Sequence, residues 1–395
     1  MKKQLICITL LVASSFVFVQ CSKKEAVAAA IDYLTPTFGS AINLSSLANY
    51  ASQAKPAYIV KDNTAGNAIT NEKATIGRVL FYDKNLSIDN SISCASCHKQ
   101  SLAFGDTATP SKGVSGGVTG RHSMRLVNSR FAVETRFFWD ERAATLEVQT
   151  TQPIQDHAEM GFSGTNGRPN LAALITKLKG INYYQQLFTF AYGNADITEQ
   201  KLQECLAQFI RSIQSFDSKY DVGRAAVNNP NANFPNFSAE ENAGKNLFTQ
   251  APVFDNNGIR IGGGAGCNAC HNAPEFDVAP NSGNNGVIGV LNSNTLTDLT
   301  NTRAPSLRDL LNANGQPNTP MMHNGAFTNL LQVINHYNDI AAPLGNNRLD
   351  PRLRNNGLGQ KLQLTIDEKN ALIAFMKTLT GSNVYTDAKW SNPFK

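Results

Sequence analysis

The pattern Cys94-Ala95-Ser96-Cys97-His98 returns later in the chain as Cys267-Asn268-Ala269-Cys270-His271. Cys-x-x-Cys-His is the attachment sequence of c-type haem. Two thiols three positions apart on a helical turn can reach both vinyl groups of one porphyrin, and the adjacent histidine can bind its iron. A zinc half-site, a redox-active Cys-x-x-Cys and a disulfide are the other interpretations, but zinc would favour four clustered ligands. The sequence therefore predicts two covalent haems, with His98 and His271 as iron ligands.

Length and composition agree with a soluble protein of two or three domains. The 395-residue chain is 42% hydrophobic, which is ordinary for globular proteins, and 16% charged, which is low. Its net charge of +5 is mild and its lysines and arginines are scattered, so no nucleic-acid partner is predicted. Outside the haem motifs and the N-terminal region only Cys205 remains, and we expect it to be a small buried side chain.

The N-terminus has the pattern of an export signal. Lys2 and Lys3 precede a mostly apolar run, Leu5–Val19, which is too short for a comfortable membrane span. Cys21 follows where a lipoprotein has its acylated cysteine, although Gln20 replaces the expected small residue; ordinary cleavage near residues 26–30 is the alternative. We therefore predict a signal peptide over residues 1–20, an acylated Cys21, and a periplasmic protein that contacts a membrane only through this lipid anchor.

Each haem motif follows a helix of similar sequence. Gly77-Arg78-Val79-Leu80-Phe81 precedes the first motif and Gly244-Lys245-Asn246-Leu247-Phe248 precedes the second. An arginine followed by small and apolar residues lies downstream of each, in Arg121–Leu126 and in Arg303–Arg308. Several likenesses in the same order indicate a duplicated haem module.

The predicted fold is mainly α, because helical patterns are frequent and strand patterns are scarce. Capping boxes at Ser238–Glu241 and Thr365–Glu368 begin two of the helices. We expect two cytochrome c-like domains, packed with their haems at a shared interface and separated by a proline-containing linker. The predicted divisions are a tether and lead-in at 21–63, an N-terminal domain at 64–227, a linker at 228–237 and a C-terminal domain at 238–382.

A long stretch between the motifs carries a further pattern. It is Phe138-Trp139-Asp140-Glu141-Arg142-Ala143-Ala144-Thr145-Leu146-Glu147-Val148-Gln149, followed by Pro153-Ile154 and Glu159-Met160. This stretch resembles the bacterial di-haem cytochrome c peroxidase and MauG superfamily, whose pattern is F-W-D-G-R-A-x-x-L-E-x-Q, then P-I, then E-M. The resemblance covers about residues 65–382. Glu141 replaces the usual glycine, a conservative change if this turn does not need a positive φ.

The resemblance implies the residues that face peroxide. In that family the glutamine and glutamate of this segment stand over the open face of the N-terminal haem, which assigns these roles to Gln149 and Glu159, with Trp139 beside the pocket. A carboxylate in reach of both peroxide oxygens can move a proton from one to the other. An amide can orient peroxide and stabilise developing charge. Without the resemblance, a loop-capping glutamate and a solvent-facing glutamine would be the simpler interpretation.

The group on the side of the iron opposite each histidine decides between two kinds of haem. A second strong ligand there closes the iron, as in an electron carrier, whereas an open position leaves it free to react. Classical peroxidases of the family carry a histidine in the loop that corresponds to Ser111–Gly117, and this loop has none. We therefore expect the first haem to be open without prior reduction, with His122 as the alternative ligand. For the second haem the resemblance places Tyr337 at the distal position. The alternatives are His336, Met321 and Met322.

Together these expectations predict a peroxidase that reduces hydrogen peroxide to water with electrons from a small cytochrome or cupredoxin. A MauG-like oxidase that modifies another protein and a di-haem electron carrier are the alternatives. The resemblance also implies a homodimer and a structural calcium, which would need carbonyl ligands because His122 holds the family's asparagine position. The resemblance also implies an electron path between the haems through a tryptophan just before the second motif, as in MauG-like members. Ala265 lies at that place here, so the sequence does not define the path.

Overall fold

Helix predominates over strand in the computed structural model, which describes residues 31–340, 348–355 and 357–395. The signal peptide and the acylated Cys21 that the sequence predicts lie outside the described residues. The helices are α1 (Leu34–Phe38), α2 (Asn71–Tyr82), α3 (Cys94–Cys97), α4 (Leu146–Gln155), α5 (Leu171–Lys179), α6 (Asn182–Tyr192), α7 (Glu199–Ser212), α8 (Lys219–Ala225), α9 (Ala239–Thr249), α10 (Leu330–Asn338) and α11 (Ile366–Lys377).

The strands are short and form three antiparallel pairs, β1 with β2, β3 with β4 and β5 with β6. Their bounds are β1 (Pro252–Phe254), β2 (Arg260–Gly263), β3 (His271–Asn272), β4 (Asp277–Val278), β5 (Arg354–Asn355) and β6 (Leu358–Gly359). All of them lie after the predicted linker, so the second half of the chain is the less helical one. Among the described residues, no helix combines the length and the apolar character that crossing a bilayer requires.

The two predicted capping boxes are present at the starts of α9 and α11. The Ser238 hydroxyl accepts a hydrogen bond from the Glu241 amide at 3.1 Å, and the Glu241 carboxylate accepts one from the Ser238 amide at 2.7 Å. Thr365 and Glu368 make the same reciprocal pair. These bonds satisfy amide groups that the first turn of a helix leaves without partners.

The same close helix crossing occurs beside each haem motif. Gly77 of α2 lies so near α7 that a Cβ there would be 2.0 Å from the carbonyl oxygen of Cys205. Gly244 of α9 meets α11 in the same way, and its Cβ would be 1.9 Å from the carbonyl oxygen of Ala371. Only glycine permits such approaches. The repeat in the sequence is therefore also a repeat of helix packing.

Two large hydrophobic clusters fill the interior of the unit Tyr33–Lys395. The first contains side chains of α2 and α4–α7, and the second contains side chains of α9–α11. Leu34 and Phe38, from the segment expected to be a lead-in, are buried in the first cluster, and so is Trp390 near the other end of the chain. The division into two haem domains stays a prediction, since both ends of the unit contribute to one cluster.

Candidate active site and haem pockets

The first Cys-x-x-Cys-His motif forms one helical turn. Cys94 and Cys97 lie in α3, and the amide of His98 continues the turn by donating to the Cys94 carbonyl at 2.9 Å. The Nδ1 atom of His98 lies 3.1 Å from the carbonyl oxygen of Phe104. A proton shared with that carbonyl leaves Nε2 as the nitrogen that can bind a metal, and it fixes the orientation of the ring.

Gln149 and Glu159 line the same cavity as His98, and this cavity has a volume of about 660 Å3. Gln149 belongs to α4, while Glu159 follows that helix in a turn. The Asp156 carboxylate organises the turn by accepting hydrogen bonds from the amides of Ala158 and Glu159, at 2.8 and 2.9 Å. The structure thus brings together three residues that the sequence analysis selected from distant positions.

The pKa of the Glu159 carboxyl lies above the ordinary value for glutamate. Burial raises its pKa to about 7, repulsion from the nearby Asp156 carboxylate adds to the shift, and Arg142 opposes it. A carboxyl with this pKa is present in both protonation states at neutral pH. Such a group can both accept and return a proton during one reaction cycle.

The loop Ser111–Gly117, which contains no histidine, packs directly against the turn that carries Glu159. The amide of Val114 donates to the Glu159 carbonyl at 3.0 Å. A Cβ at Gly113 would lie 1.9 Å from the carbonyl oxygen of Ala158, so glycine is required at this contact. The loop therefore supports the backbone of the candidate acid–base residue.

His122 lies in the wall of the cavity that His98 also lines. Its Nδ1 atom is 3.2 Å from the carbonyl oxygen of Ala108, and its buried Nε2 has no hydrogen-bond partner among the described residues. Burial lowers the pKa of His122 to about 4, so its ring is neutral at physiological pH. Its role as an alternative iron ligand stays a prediction.

Trp139 stands between the surroundings of the two motifs. Its indole lines the cavity of His98 and also both cavities of His271. The indole N–H donates to the His122 carbonyl at 2.7 Å, and the Trp139 carbonyl accepts from the amides of Thr302 and Arg303 at 2.8 and 3.0 Å. The family resemblance implies a position for Trp139 beside the first pocket alone, whereas in the structure it lines the cavities of both histidines.

The second motif has a different local structure. Cys267–Ala269 form a 3-10 turn that follows Gly266, whose φ of 70° belongs to the left-handed region. His271 starts β3 and pairs with Val278 of β4. Its Nδ1 atom is buried and has no hydrogen-bond partner in the part of the chain that the structure describes. Burial lowers the pKa of His271 to about 4, with a further contribution from Arg352.

Tyr337 of α10 lines both cavities that contain His271, whereas Met321 and Met322 line one of them. Burial raises the pKa of its hydroxyl above the ordinary value. The neighbouring His336 has its Nε2 atom 2.8 Å from the carbonyl oxygen of Asn285. His336 therefore has a backbone partner, whereas Tyr337 lines both cavities of His271, and the role of Tyr337 as the distal ligand stays a prediction.

The turn around Glu141 corrects one expectation. Glu141 has a φ of 55°, and Phe138 has a φ of 72°. The family glycine therefore occupies a position that does need a positive φ, and glutamate is strained there. In addition, the Oε1 atom of Glu141 is buried without a hydrogen-bond partner among the described residues. The replacement of glycine at this turn is not a conservative change.

Two charged residues from beyond the linker also line the cavity of His98, and the sequence analysis gave neither a role at this site. Asp277 and Arg303 approach each other to 3.7 Å, and both are almost fully buried. Burial raises the pKa of Asp277 to about 6, although Arg303 opposes the shift. Arg303 was noted only as part of the repeated pattern, and no sequence signal marks Asp277.

The surroundings of the motifs fit two covalently attached haems. Cys94, Cys97, Cys267 and Cys270 are free thiols that border the cavities lined by their adjacent histidines. The cavity of His98 has a volume typical of cofactor pockets. No group of three or more His, Cys, Asp or Glu side chains in the described residues is arranged to hold a metal ion. A calcium held by carbonyl oxygens stays a prediction.

Comparison with known proteins agrees with this arrangement. The family model described as di-haem cytochrome c peroxidase matches residues 71–226. The methylamine utilization protein MauG of Methylophilus methylotrophus is 30% identical over 321 residues, which cover 80% of this chain and 84% of that protein. The cytochrome c551 peroxidase of Nitrosomonas europaea is 25% identical over 337 residues, with 83% and 84% coverage.

Solved structures show the same relationship. A MauG-like protein associated with microbial copper homeostasis superposes with a TM-score of 0.67 at 27% identity, covering 87% of this chain and 99% of that one. The di-haem peroxidase BthA of Burkholderia thailandensis has a TM-score of 0.57 at 19% identity, with 86% and 90% coverage, and supports the fold. With its two attachment motifs and the pocket around His98, the chain belongs to the di-haem cytochrome c peroxidase and MauG family of oxidoreductases.

Proposed function

We propose that the protein is a periplasmic di-haem peroxidase that reduces hydrogen peroxide to water with electrons from an external donor. The observation that carries the proposal is the group of His98, Gln149 and Glu159 around one cavity, with the pKa of Glu159 raised to about 7. Catalytic acids and bases are most effective when their pKa lies near the working pH. The peroxidases among the relatives support the same reaction type.

In this proposal each residue has a defined task. His98 would hold the haem, which would supply the electrons that cleave the O–O bond of peroxide. Glu159 takes a proton from one peroxide oxygen and delivers it to the other, which leaves as water. Gln149 donates a hydrogen bond that orients the peroxide and stabilises the charge that develops on the leaving oxygen.

The substitution Glu159→Gln tests this mechanism. The amide keeps the size of the side chain but cannot accept the proton, so the peroxidase rate should fall by about 100-fold to 10,000-fold. Glu240→Gln changes an exposed carboxylate at the start of α9 and serves as the matched control. Both variants should bind two haems, measured from their optical spectra. A peroxidase rate that Glu159→Gln leaves unchanged would contradict the assignment.

A second candidate function is oxidation of side chains on another protein, as a MauG-like enzyme. Tyr337 favours it, because it lines both cavities of His271 and a phenolate ligand would stabilise higher oxidation states of the second haem. MauG proteins at 30% and 31% identity support this candidate too. Tyr337→Met should change the optical and EPR spectra of the second haem alone. Spectra identical to those of the parent protein would exclude Tyr337 as its ligand.

Spectroscopy of the ferric protein also distinguishes an enzyme from an electron carrier with two closed haems. With no histidine in Ser111–Gly117, we expect high-spin ferric iron at the first haem and low-spin iron at the second. Cyanide should bind one haem only. An EPR spectrum with low-spin iron alone would overturn the open first haem and would direct attention to His122 as its ligand.

The proposed location and partners follow from the sequence expectations. Export would bring the chain to the compartment where c-type haem is attached, and acylation of Cys21 would anchor it to a membrane. A small cytochrome or cupredoxin is the proposed donor, and a homodimer is the proposed assembly. Cys21→Ser should release the protein from the membrane fraction. Equal membrane retention of the variant would argue against the lipid anchor.

A further inference from the structure

A pair of tyrosines shares one buried carboxylate near the first haem motif. The hydroxyls of Tyr183 and Tyr184 both donate to the Oδ2 atom of Asp83, at 2.6 and 2.7 Å. The two rings are 4.7 Å apart between their centroids. The other oxygen of Asp83 accepts from the Asn85 amide at 2.8 Å. In the described part of the chain, no lysine or arginine lies within ion-pair distance of Asp83.

The pair lies close to the first haem attachment site. Asp83 directly follows α2, two positions after Phe81, whose ring centroid is 6.4 Å from that of His98. Tyr184 belongs to the hydrophobic cluster against which Cys94 packs. Burial and the Asp83 charge raise the pKa of the Tyr184 hydroxyl, and Cys94 contributes to the same shift, as expected for near neighbours.

The two tyrosines differ in their access to solvent. Tyr184 is fully buried, whereas Tyr183 is only partly buried and has its ring 6.3 Å from the ring of Phe394. Tyr184 is therefore the inner member of the pair, and Tyr183 is the member that solvent can reach.

We propose that Tyr184 and Tyr183, with Asp83 as their shared base, form a one-electron route between an electron donor at the protein surface and the first haem. This inference rests on the proposed function, because peroxide supplies the oxidant. Oxidation of a neutral tyrosine requires that its hydroxyl proton leaves with the electron. Asp83 can receive that proton without any rearrangement, since the hydrogen bond already exists.

The steps balance in electrons and protons. Tyr184 gives one electron to the haem centre that peroxide has oxidised and its hydroxyl proton to Asp83. Tyr183 then gives an electron to Tyr184 and its own proton to the shared carboxylate, while Asp83 returns the first proton to Tyr184. A donor at the surface then gives one electron to Tyr183, which takes its own proton back from Asp83 and leaves the carboxylate ready for the next electron. Two such electrons, together with two protons that enter the haem cavity from solvent, convert hydrogen peroxide to two waters.

Freeze-quench EPR of the two-haem protein after addition of hydrogen peroxide, without an added reductant, tests the proposal. The spectrum should contain a tyrosyl radical whose hyperfine pattern narrows when the protein carries ring-deuterated tyrosine. Tyr184→Phe and Asp83→Asn should lose this signal. Tyr183→Phe should keep a signal at Tyr184 but slow the oxidation of added hydroquinone.

Tyr58→Phe is the matched control. The Tyr58 hydroxyl also donates to a carboxylate, that of Asp221 at 2.8 Å, but that carboxylate is already paired with Arg308. This variant should keep the radical signal of the parent protein. Peroxide consumption, followed in the same samples, separates the two proposals. Absence of consumption would overturn both, whereas consumption with no tyrosyl signal, or with a signal unchanged in Tyr184→Phe, would overturn the tyrosine route alone.

Discussion

The two haem motifs share their five-residue pattern and the helix crossing beside it, but they differ in the local structure of the histidine and in the side chains that line its cavity. His98 ends a helical turn and has its Nδ1 atom near the Phe104 carbonyl, whereas His271 starts a strand and has no such contact among the described residues. Glu159, with its raised pKa, faces the first cavity, while Tyr337 lines the cavities of the second. The shared motif therefore does not determine the pocket around it, because the side chains that distinguish the two cavities come from other parts of the chain.

The largest predicted effect concerns buried arginines in the two halves. Arg308 is fully buried and makes an ion pair with Asp221, with N–O distances of 2.8 and 2.9 Å. Arg125 is also buried, but its described hydrogen bond is to the Ser306 carbonyl. Arg308→Met should lower the free energy of unfolding by about 3–5 kcal/mol, because it leaves a buried carboxylate without its cation. Arg125→Met should cost about 1–3 kcal/mol.

Chemical denaturation followed by far-UV circular dichroism measures both free energies. Equal losses from the two substitutions would mean that the ion pair adds nothing beyond a hydrogen bond from a guanidinium to a backbone carbonyl. In that case the two halves would be alike in how they hold buried charge.

The pH dependence of the peroxidase rate addresses the difference in reactivity. Glu159 must be ionised to accept the first proton, and its pKa is raised to about 7. The rate should therefore fall as the pH drops below that value, by about tenfold per pH unit. Glu159→Gln should remove this dependence, while Glu240→Gln should retain it. A midpoint near the ordinary glutamate pKa would show that burial does not control this group.

The glycines at the two helix crossings provide a matched test of the duplication. Gly77→Ala and Gly244→Ala each force a Cβ against a carbonyl oxygen of the facing helix. Overpacking of this kind costs about 1–3 kcal/mol, and we expect similar values for both. Denaturation midpoints of the two variants measure them. A large loss in one variant and none in the other would show that the repeated packing has diverged.

The smallest predicted effect is a gain in stability. Glu141→Gly should raise the free energy of unfolding by about 1 kcal/mol, because it relieves a left-handed backbone in a non-glycine residue and removes a buried carboxylate oxygen without a partner. Glu240→Gly, at the start of α9, should act in the opposite sense because glycine disfavours helix. Chemical denaturation of the two variants measures the sign of each change in the free energy of unfolding. A loss of stability in Glu141→Gly would mean that Glu141 has a stabilising contact at the turn.

The sequence predicted those features that depend on short-range patterns. The Cys-x-x-Cys-His motifs, the capping boxes and the repeated helix all involve neighbouring residues, and their chemistry is readable from spacing. Gln149 and Glu159 were found through family resemblance, since nothing in a lone glutamine or glutamate indicates that a distant histidine lies opposite.

Other features could not be predicted, because they depend on contacts between distant segments. The position of Trp139 between two sets of cavities follows from the packing of residues 302 and 303 against it. The buried Leu34 and Phe38 show no helical periodicity long enough to predict a core contribution. Asp277 is buried by strand pairing that only two residues define.

The position of Trp390 has a consequence for the order of folding. This side chain is buried in the first hydrophobic cluster, its indole N–H lies 3.2 Å from the Ser212 hydroxyl, and Tyr82 donates to its carbonyl at 2.6 Å. The first core is therefore complete only once the chain has been synthesised through residue 390, well after both cysteine motifs. During that interval the thiols of both motifs remain in an incompletely folded chain, which is the form in which an attachment machinery can reach them.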